Sequence, residues 1–314
     1  MHSTAVKKKV DTPDSSVTLK TDKNGFSYEE VNNDPSGLRL YTLENGLKVY
    51  LSQNSDEPKI QTYVAVRAGS NYDPAETTGL AHYLEHMLFK GTSEFGTQDW
   101  GKEKILLDSI SKLYELHRLE KDPLKKKEIY RQIDKVSFEA SGFAIANEYD
   151  KMSGSMGAQE TNAHTWFEET VYHNKIPQNE LEKWAKMESD RFDELVLRLF
   201  HTELEAVYEE FNMGQDSDFR KKYMAMLEGL FPNHPYGQQT TIGTSEHLKN
   251  PSLVAIHDYF EKYYVPGNMA VVLVGNLDFD KTIQLISDTF GKLQGKPVEH
   301  PVLPKGNGNQ RSCN

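Results

Sequence analysis

Apolar and polar residues alternate through Leu38-Arg-Leu-Tyr-Thr-Leu-Glu-Asn-Gly-Leu-Lys-Val-Tyr-Leu51, on both sides of Asn45-Gly46. Successive side chains of a strand point to opposite faces, and Asn-Gly tolerates the positive φ angles of a tight turn. The stretch therefore predicts a hairpin. A third strand is expected from Ile60 to Ala68, ending at Gly69-Ser70. From Gly79 to about Lys90 the period becomes helical, with Leu80, Tyr83, Leu84, Met87 and Leu88 on one face. Two helices rich in Lys, Glu, Leu and Ile are expected from 99 to about 140, broken at Asp122-Pro123. Residues 157–174 return to strand character. Helices should then start near Gln178 and near Leu199. Ser252 to Tyr264 reads as a helix, Met269 to Gly275 as a strand, and Asp280 to Leu293 as a last helix. Residues 1–35 are polar and read as a loose arm, and 295–314, rich in Pro, Gly, Asn and Lys, as a linker tail. No short internal repeat is visible.

Composition narrows the partners. The 314 residues are 37% hydrophobic and 26% charged, enough apolar material for a sizeable core. The formal net charge of -11 argues against nucleic acid, which needs clustered Lys and Arg. It is compatible with a protein that handles basic or unfolded peptides. The single cysteine, Cys313, rules out both an intrachain disulfide and a cysteine-based zinc site. No apolar run approaches a membrane span. The N-terminus has the positive charge of an export signal but no apolar stretch behind it. The expectation is a protein that stays inside the cell, or one exported with its signal removed.

The chemistry concentrates in His82-Tyr-Leu-Glu85-His86. Positions i and i+4 of a helix share a face one turn apart, so both imidazoles can reach one metal ion at about 2.0–2.1 Å. Glu85 lies on that face and is free to activate water. The order, His-x-x-Glu-His, reverses the commoner His-Glu-x-x-His of zinc proteases. The remaining residues of the helix are apolar, and three ionisable groups among them are costly without a partner such as a metal. A catalytic zinc takes three protein ligands and keeps one position open. The stretch Glu203-Leu-Glu205-Ala-Val-Tyr-Glu209-Glu210 supplies candidates for the third. Spacing alone does not choose between Glu203, Glu209 and Glu210.

Several segments, in order, resemble the family of zinc metallopeptidases that contains pitrilysin, insulin-degrading enzyme and mitochondrial processing peptidase. They are Thr78-Gly-Leu-Ala-His-Tyr-Leu-Glu-His-Met-Leu-Phe-Lys-Gly-Thr92, Asn162-Ala-His-Thr165, the Glu-Ala-Val-Tyr-Glu-Glu helix, His234-Pro-Tyr-Gly with Thr241-Ile-Gly-Thr244, and Tyr263-Tyr-Val-Pro-Gly-Asn-Met269. The resemblance runs from Leu38 to about Leu293. It implies an α+β fold in which one mixed, mostly antiparallel sheet carries helices on one face. It implies one Zn2+ per chain, held by His82, His86 and Glu210, with Glu85 as the base and Glu203 supporting the site. It also implies that Asn162, Ala163 and Thr165 form a substrate-binding edge strand that pairs with a peptide. His164 is expected at the surface or facing substrate, not as a further ligand.

Residues 36–294 are thus expected to be the catalytic domain of an endopeptidase acting on peptides or unfolded segments. The stretch between His86 and Glu210 is longer than in relatives. The surplus, 101–150, reads as an inserted helical hairpin of solvated helices, dispensable for the metal site. By resemblance a second homologous half, in the same chain or another subunit, supplies an Arg and a Tyr that grip substrate. The rival readings are a catalytically weak or partner-dependent half and a structural zinc module.

Overall fold

The computed structural model describes residues 16–302. Eight strands form one sheet: β1 (Val17–Thr21), β2 (Ser27–Val31), β3 (Arg39–Thr42), β4 (Lys48–Gln53), β5 (Lys59–Val66), β6 (Gln159–Thr165), β7 (Thr170–Pro177) and β8 (Met269–Gly275), in the order β1-β2-β3-β4-β8-β5-β7-β6. Among the described residues only the β4–β8 pairing is parallel. The sheet is therefore mixed and mostly antiparallel, as expected. One face is dry: Ile60, Val64 and Val66 of β5 and Val271 and Leu273 of β8 are buried, while Tyr63 and Val274, at positions of the opposite parity, are exposed. Each buried aliphatic side chain contributes about 1.5–3 kcal/mol relative to exposure, so this alternation fixes the register.

The helices are α1 (Leu80–Met87), α2 (Trp100–Leu119), α3 (Pro123–Ser141), α4 (Glu148–Ser155), α5 (Leu181–Asp193), α6 (Phe200–Gln215), α7 (Asp218–Leu230), α8 (Pro235–Gln238), α9 (Ser245–Lys249), α10 (Leu253–Tyr263) and α11 (Phe279–Asp288). The break at Asp122-Pro123 has its expected cause. The Asp122 carboxylate accepts from the N–H groups of Leu124 and Lys125, and Pro123 occupies the first helical position, where no N–H is needed. Strand β6 is the outer edge of the sheet, beside α1.

Two parts of the sequence reading are corrected. The described part of the N-terminal arm, from residue 16, is not loose: β1 and β2 form a hairpin that extends the sheet through β3. Its turn is Asp22-Lys-Asn24-Gly25. Gly25 has φ +91, and the Asp22 carboxylate accepts from the N–H groups of Asn24 and Phe26. The same Asn-Gly signal that marks residues 45–46 stands here, masked by the polarity of exposed flanking strands. Residues 1–15 and the end of the tail, 303–314, lie outside the described residues.

The second correction concerns the α2–α3 hairpin, which is no free-standing appendage. Ile110, Tyr114, Ile133 and Ala140 are buried in the same core as the sheet. Glu103, near the start of α2, is fully buried against Arg198, just ahead of α6. The Tyr114 hydroxyl meets His201 Nδ1 at 2.7 Å, and His201 Nε2 lies 2.8 Å from Asp134 of α3. Amphipathic composition reads as solvated helices, but here the apolar stripes turn inward onto the first turn of α6.

Candidate metal centre

Helix α1 is anchored before it begins. The buried Asp73 carboxylate accepts from the N–H groups of Gly79 (2.7 Å) and Ala81 (3.0 Å), two donors left unpaired at a helix start. Burial outweighs these hydrogen bonds and pushes the Asp73 pKa up to about 7. Gly79 has φ +92, and a Cβ there would stand 2.7 Å from the Ile242 carbonyl. The Thr78-Gly79 and Ile242-Gly243 segments thus touch through glycine backbone.

From that start, His82 and His86 project from one face with ring centroids 4.8 Å apart. Glu210 reaches them from α6, its Oε2 3.6 Å from His82 Nε2 and 3.7 Å from His86 Nε2. These separations are too long for hydrogen bonds. They approach the edge of a tetrahedron around an ion with bonds of about 2.0–2.2 Å, roughly 3.3–3.6 Å. Among the described residues, His82, His86 and Glu210 are the one group of three such side chains whose ligand atoms lie mutually within 4.8 Å.

The surroundings give each nitrogen a role. His86 Nδ1 lies 2.7 Å from Glu203 Oε1, so its Nδ1–H donates there and Nε2 faces Glu210. Burial lowers the His86 pKa, but the hydrogen bond to Glu203 and the charges of Glu203, Glu85 and Glu210 outweigh it and raise the pKa. Lys90 holds the other Glu203 oxygen at 2.5 Å. Burial raises the Glu203 carboxyl, but hydrogen bonds from His86 and Lys90 outweigh it and leave the pKa below the ordinary value. Burial, then the charges of His86 and Arg220, push the His82 pKa down to about 3. His82 is therefore a neutral imidazole at neutral pH, the form that ligates a metal. Its Nδ1 is buried without a hydrogen-bond partner. The donor set of two imidazoles and a carboxylate, aimed inward with nothing between, fits zinc.

Glu85 sits beside this group, 8% exposed. The Thr165 hydroxyl donates to Glu85 Oε2 at 2.5 Å, leaving the second carboxylate oxygen outside that bond. Burial raises the Glu85 pKa. Thr165 is itself buried, so its side chain faces the carboxylate, and only its backbone stays on the edge strand. Ala163 shares that inner face; Ala163 and His164 both line the cleft, His164 with an exposed side chain, and Asn162 is exposed outside it. A bulge between Gln159 and Asn162, with Glu160 at φ +55, ends the regular edge. On α6, Glu203 and Glu210 turn inward, whereas Glu205 and Glu209 are exposed. Sequence reasoning missed Asp73, Lys90, the Thr165–Glu85 bond and Arg198. Of these, only Lys90 had a local signal, standing one turn beyond His86.

A mixed sheet with helices on one face and an inverted His-x-x-Glu-His helix facing a glutamate helix defines a metallopeptidase type of domain. Residues 48–103 match the family described as Insulinase (Peptidase family M16), and residues 252–312 match the Peptidase M16 inactive domain. These matches and the relatives below support assignment to the pitrilysin family of zinc metallopeptidases, as a first domain. It is 24% identical over 264 residues to the uncharacterized zinc protease YmxG of Bacillus subtilis, covering 82% of this chain and 51% of that one. It is 25% identical over 290 residues to Protease 3 of Escherichia coli, covering 90% of this chain and 24% of that one. The fold matches crystalline pitrilysin with a TM-score of 0.64 at 21% identity, over 91% of this chain and 26% of that chain. A Helicobacter pylori protease matches at TM-score 0.63 and 23% identity, over 86% and 53%. The chain therefore spans between about a quarter and a half of the length of these relatives.

Proposed function

We propose that this chain is the metal-bearing half of a zinc-dependent endopeptidase, with His82, His86 and Glu210 as the ligands and Glu85 as the general base. The observation that carries the reading is the convergence of the ligand atoms of His82, His86 and Glu210, mutually within 4.8 Å, beside a buried carboxylate that accepts from Thr165. Zinc there supplies Lewis acidity, which lowers the pKa of water and polarises a carbonyl. The chain's own residues do the rest. Glu85 takes the proton from the attacking water and delivers it to the leaving amine, and its raised pKa suits both steps. Strand β6, at the sheet edge beside the cleft, offers Asn162–Thr165 backbone for pairing with an extended peptide. Glu203 orients His86 and fixes its tautomer.

A second reading is favoured by length. The relatives are longer, and one solved neighbour is described as the first half of a periplasmic protease. A half that binds zinc yet needs a companion to grip substrate accounts for both facts. A structural zinc module is less well supported, because such sites are closed by four ligands and only three converge here among the described residues. Metal content together with peptide cleavage, for the parent chain and Glu85→Gln, tests the reading. Zinc in both with cleavage only in the parent is expected; equal cleavage by the variant would remove Glu85 as the base.

A further inference from the structure

One guanidinium lies in the cleft with no carboxylate beside it. Arg220, near the start of α7, is half-buried and lines the same cleft of about 750 Å³ as His82, Glu85, His86 and Glu210. It takes part in none of the ion pairs among the described residues. Its position is fixed by α6: a Cβ at Gly214 would stand 2.3 Å from Arg220 Nη1, so the guanidinium lies directly over that glycine. Gly214 follows Glu210 by four positions. The two therefore share a face, separated by one turn of about 5.4 Å. The charge also reaches His82, where it adds to the effect of burial. The walls nearby are apolar: Phe167, Ile242, and the stacked rings of Phe219 and Tyr223, 6.3 Å apart and 8° from parallel.

We propose that Arg220 is a specificity-determining group: the cleft selects peptides that carry Asp or Glu one or two residues from the bond placed at His82, His86 and Glu210, next to a bulky apolar residue. This deepens the peptidase reading and rests on it. The distance follows from geometry, since an extended chain advances about 3.3 Å per residue and the guanidinium stands one helical turn from Glu210. The charge follows from chemistry. A guanidinium with free donors against low-dielectric walls takes a carboxylate in a fork geometry that an amide cannot match. The net charge of -11 sharpens the effect. The surface as a whole repels acidic peptides, so any preference for one must be local and tied to position.

The test uses the 314-residue chain as Glu85→Gln, which binds without cutting. Its probes are fluorescent extended peptides that carry a Leu-Asp pair, with Leu-Asn and Leu-Lys twins. Fluorescence anisotropy with and without zinc is expected to show about tenfold tighter binding of the Leu-Asp peptide at low salt. Arg220→Met should abolish the preference, and Arg220→Glu should turn it toward the Leu-Lys twin. A preference that survives Arg220→Met, or none in the parent, overturns the proposal. So does an equal loss for all three peptides, which marks a general role in the cleft. Thermal melts identify a variant that does not fold, and Arg220→Lys, which keeps the charge without the fork, must then retain part of the preference. Whether the chain with Glu85 intact hydrolyses any of the peptides is a separate measurement, so the two readings fail independently.

Discussion

Two charge clusters flank helix α6, and they are built on opposite rules. Ahead of its first turn, Arg198 is 1% exposed and every guanidinium N–H has an acceptor. Nε and Nη2 donate to Glu103 at 2.7 and 2.9 Å, Nη1 to the Lys90 and Phe95 carbonyls, and Nη2 also to the Thr92 carbonyl. Nearly three turns into the helix, Glu210 faces the Nε2 atoms of two imidazoles at 3.6 and 3.7 Å, too far for hydrogen bonds. The first cluster is complete within the chain. It ties the loop after α1 and the start of α2 to the entrance of α6. The second converges without hydrogen bonds among its ligand atoms, which is the arrangement the zinc reading rests on. A satisfied buried network holds a structure in one geometry, whereas an unsatisfied convergent one marks a ligand. The inserted hairpin belongs to the first kind, and so it supports the helix from which the second is built.

If this contrast holds, substitutions in the cleft should change chemistry and leave stability alone, and those at Arg198 should do the reverse. The largest effect belongs to Glu85→Gln. Turnover should fall by about 10²–10⁴-fold, zinc content should stay the same, and the melting temperature should be no lower. Glu210→Gln should lose the metal while the metal-free chain loses little stability, since Glu210 is partly exposed and makes no hydrogen bond to either imidazole. A variant that keeps zinc as tightly as the parent would move the ligand role to another glutamate.

Next comes Arg198→Met, expected to cost about 3–5 kcal/mol in urea unfolding, because Glu103 is left charged and unpaired in the interior. Replacing residues 101–150 with a short linker should do more, releasing the first turn of α6 and lowering zinc affinity with it. Zinc binding unchanged in that variant would show that the hairpin is only packed against the site. A smaller effect is expected at Glu203→Gln, where the lost partner of His86 should weaken zinc by about 10–100-fold in a chelator competition.

A further effect is a pH slope. Burial raises the Asp73 pKa from 3.8 to about 7. Between these values the folded chain holds a proton that the unfolded chain has released, so this group makes stability fall as pH rises from about 4 to about 7. Asp73→Asn should flatten that part of the profile. A slope identical in the variant assigns it elsewhere.

How much of this was legible beforehand depends on the range of the contact. The Asn45-Gly46 turn, the break at Asp122-Pro123 and the face shared by His82, Glu85 and His86 all follow from neighbours within a few residues, and all stand where expected. The β1–β2 hairpin carried an equally local signal at Asn24-Gly25. It was missed because β1 and β2 are mostly exposed, with Tyr28 their one buried side chain, and lack the apolar alternation that announces a strand. The α2–α3 helices were placed correctly along the chain, yet their burial was not, since Lys- and Glu-rich composition describes the outer face and says nothing of what the inner face meets.

By itself, then, the sequence determined whatever the 3.6-residue and two-residue periods govern: the elements, the paired histidines with their glutamate, and a glutamate helix of the right kind. Only the tertiary structure decided which of its glutamates turns toward the imidazoles. It also decided that Thr165 of β6 holds the Glu85 carboxylate, that Glu103 finds Arg198, and that the guanidinium of Arg220 comes to rest on Gly214. Within an element, backbone geometry sets the spacing of side chains whatever lies around them. Across elements the partner is set by packing, where many apolar contacts of small individual energy fix the helix rotations that bring two polar atoms together.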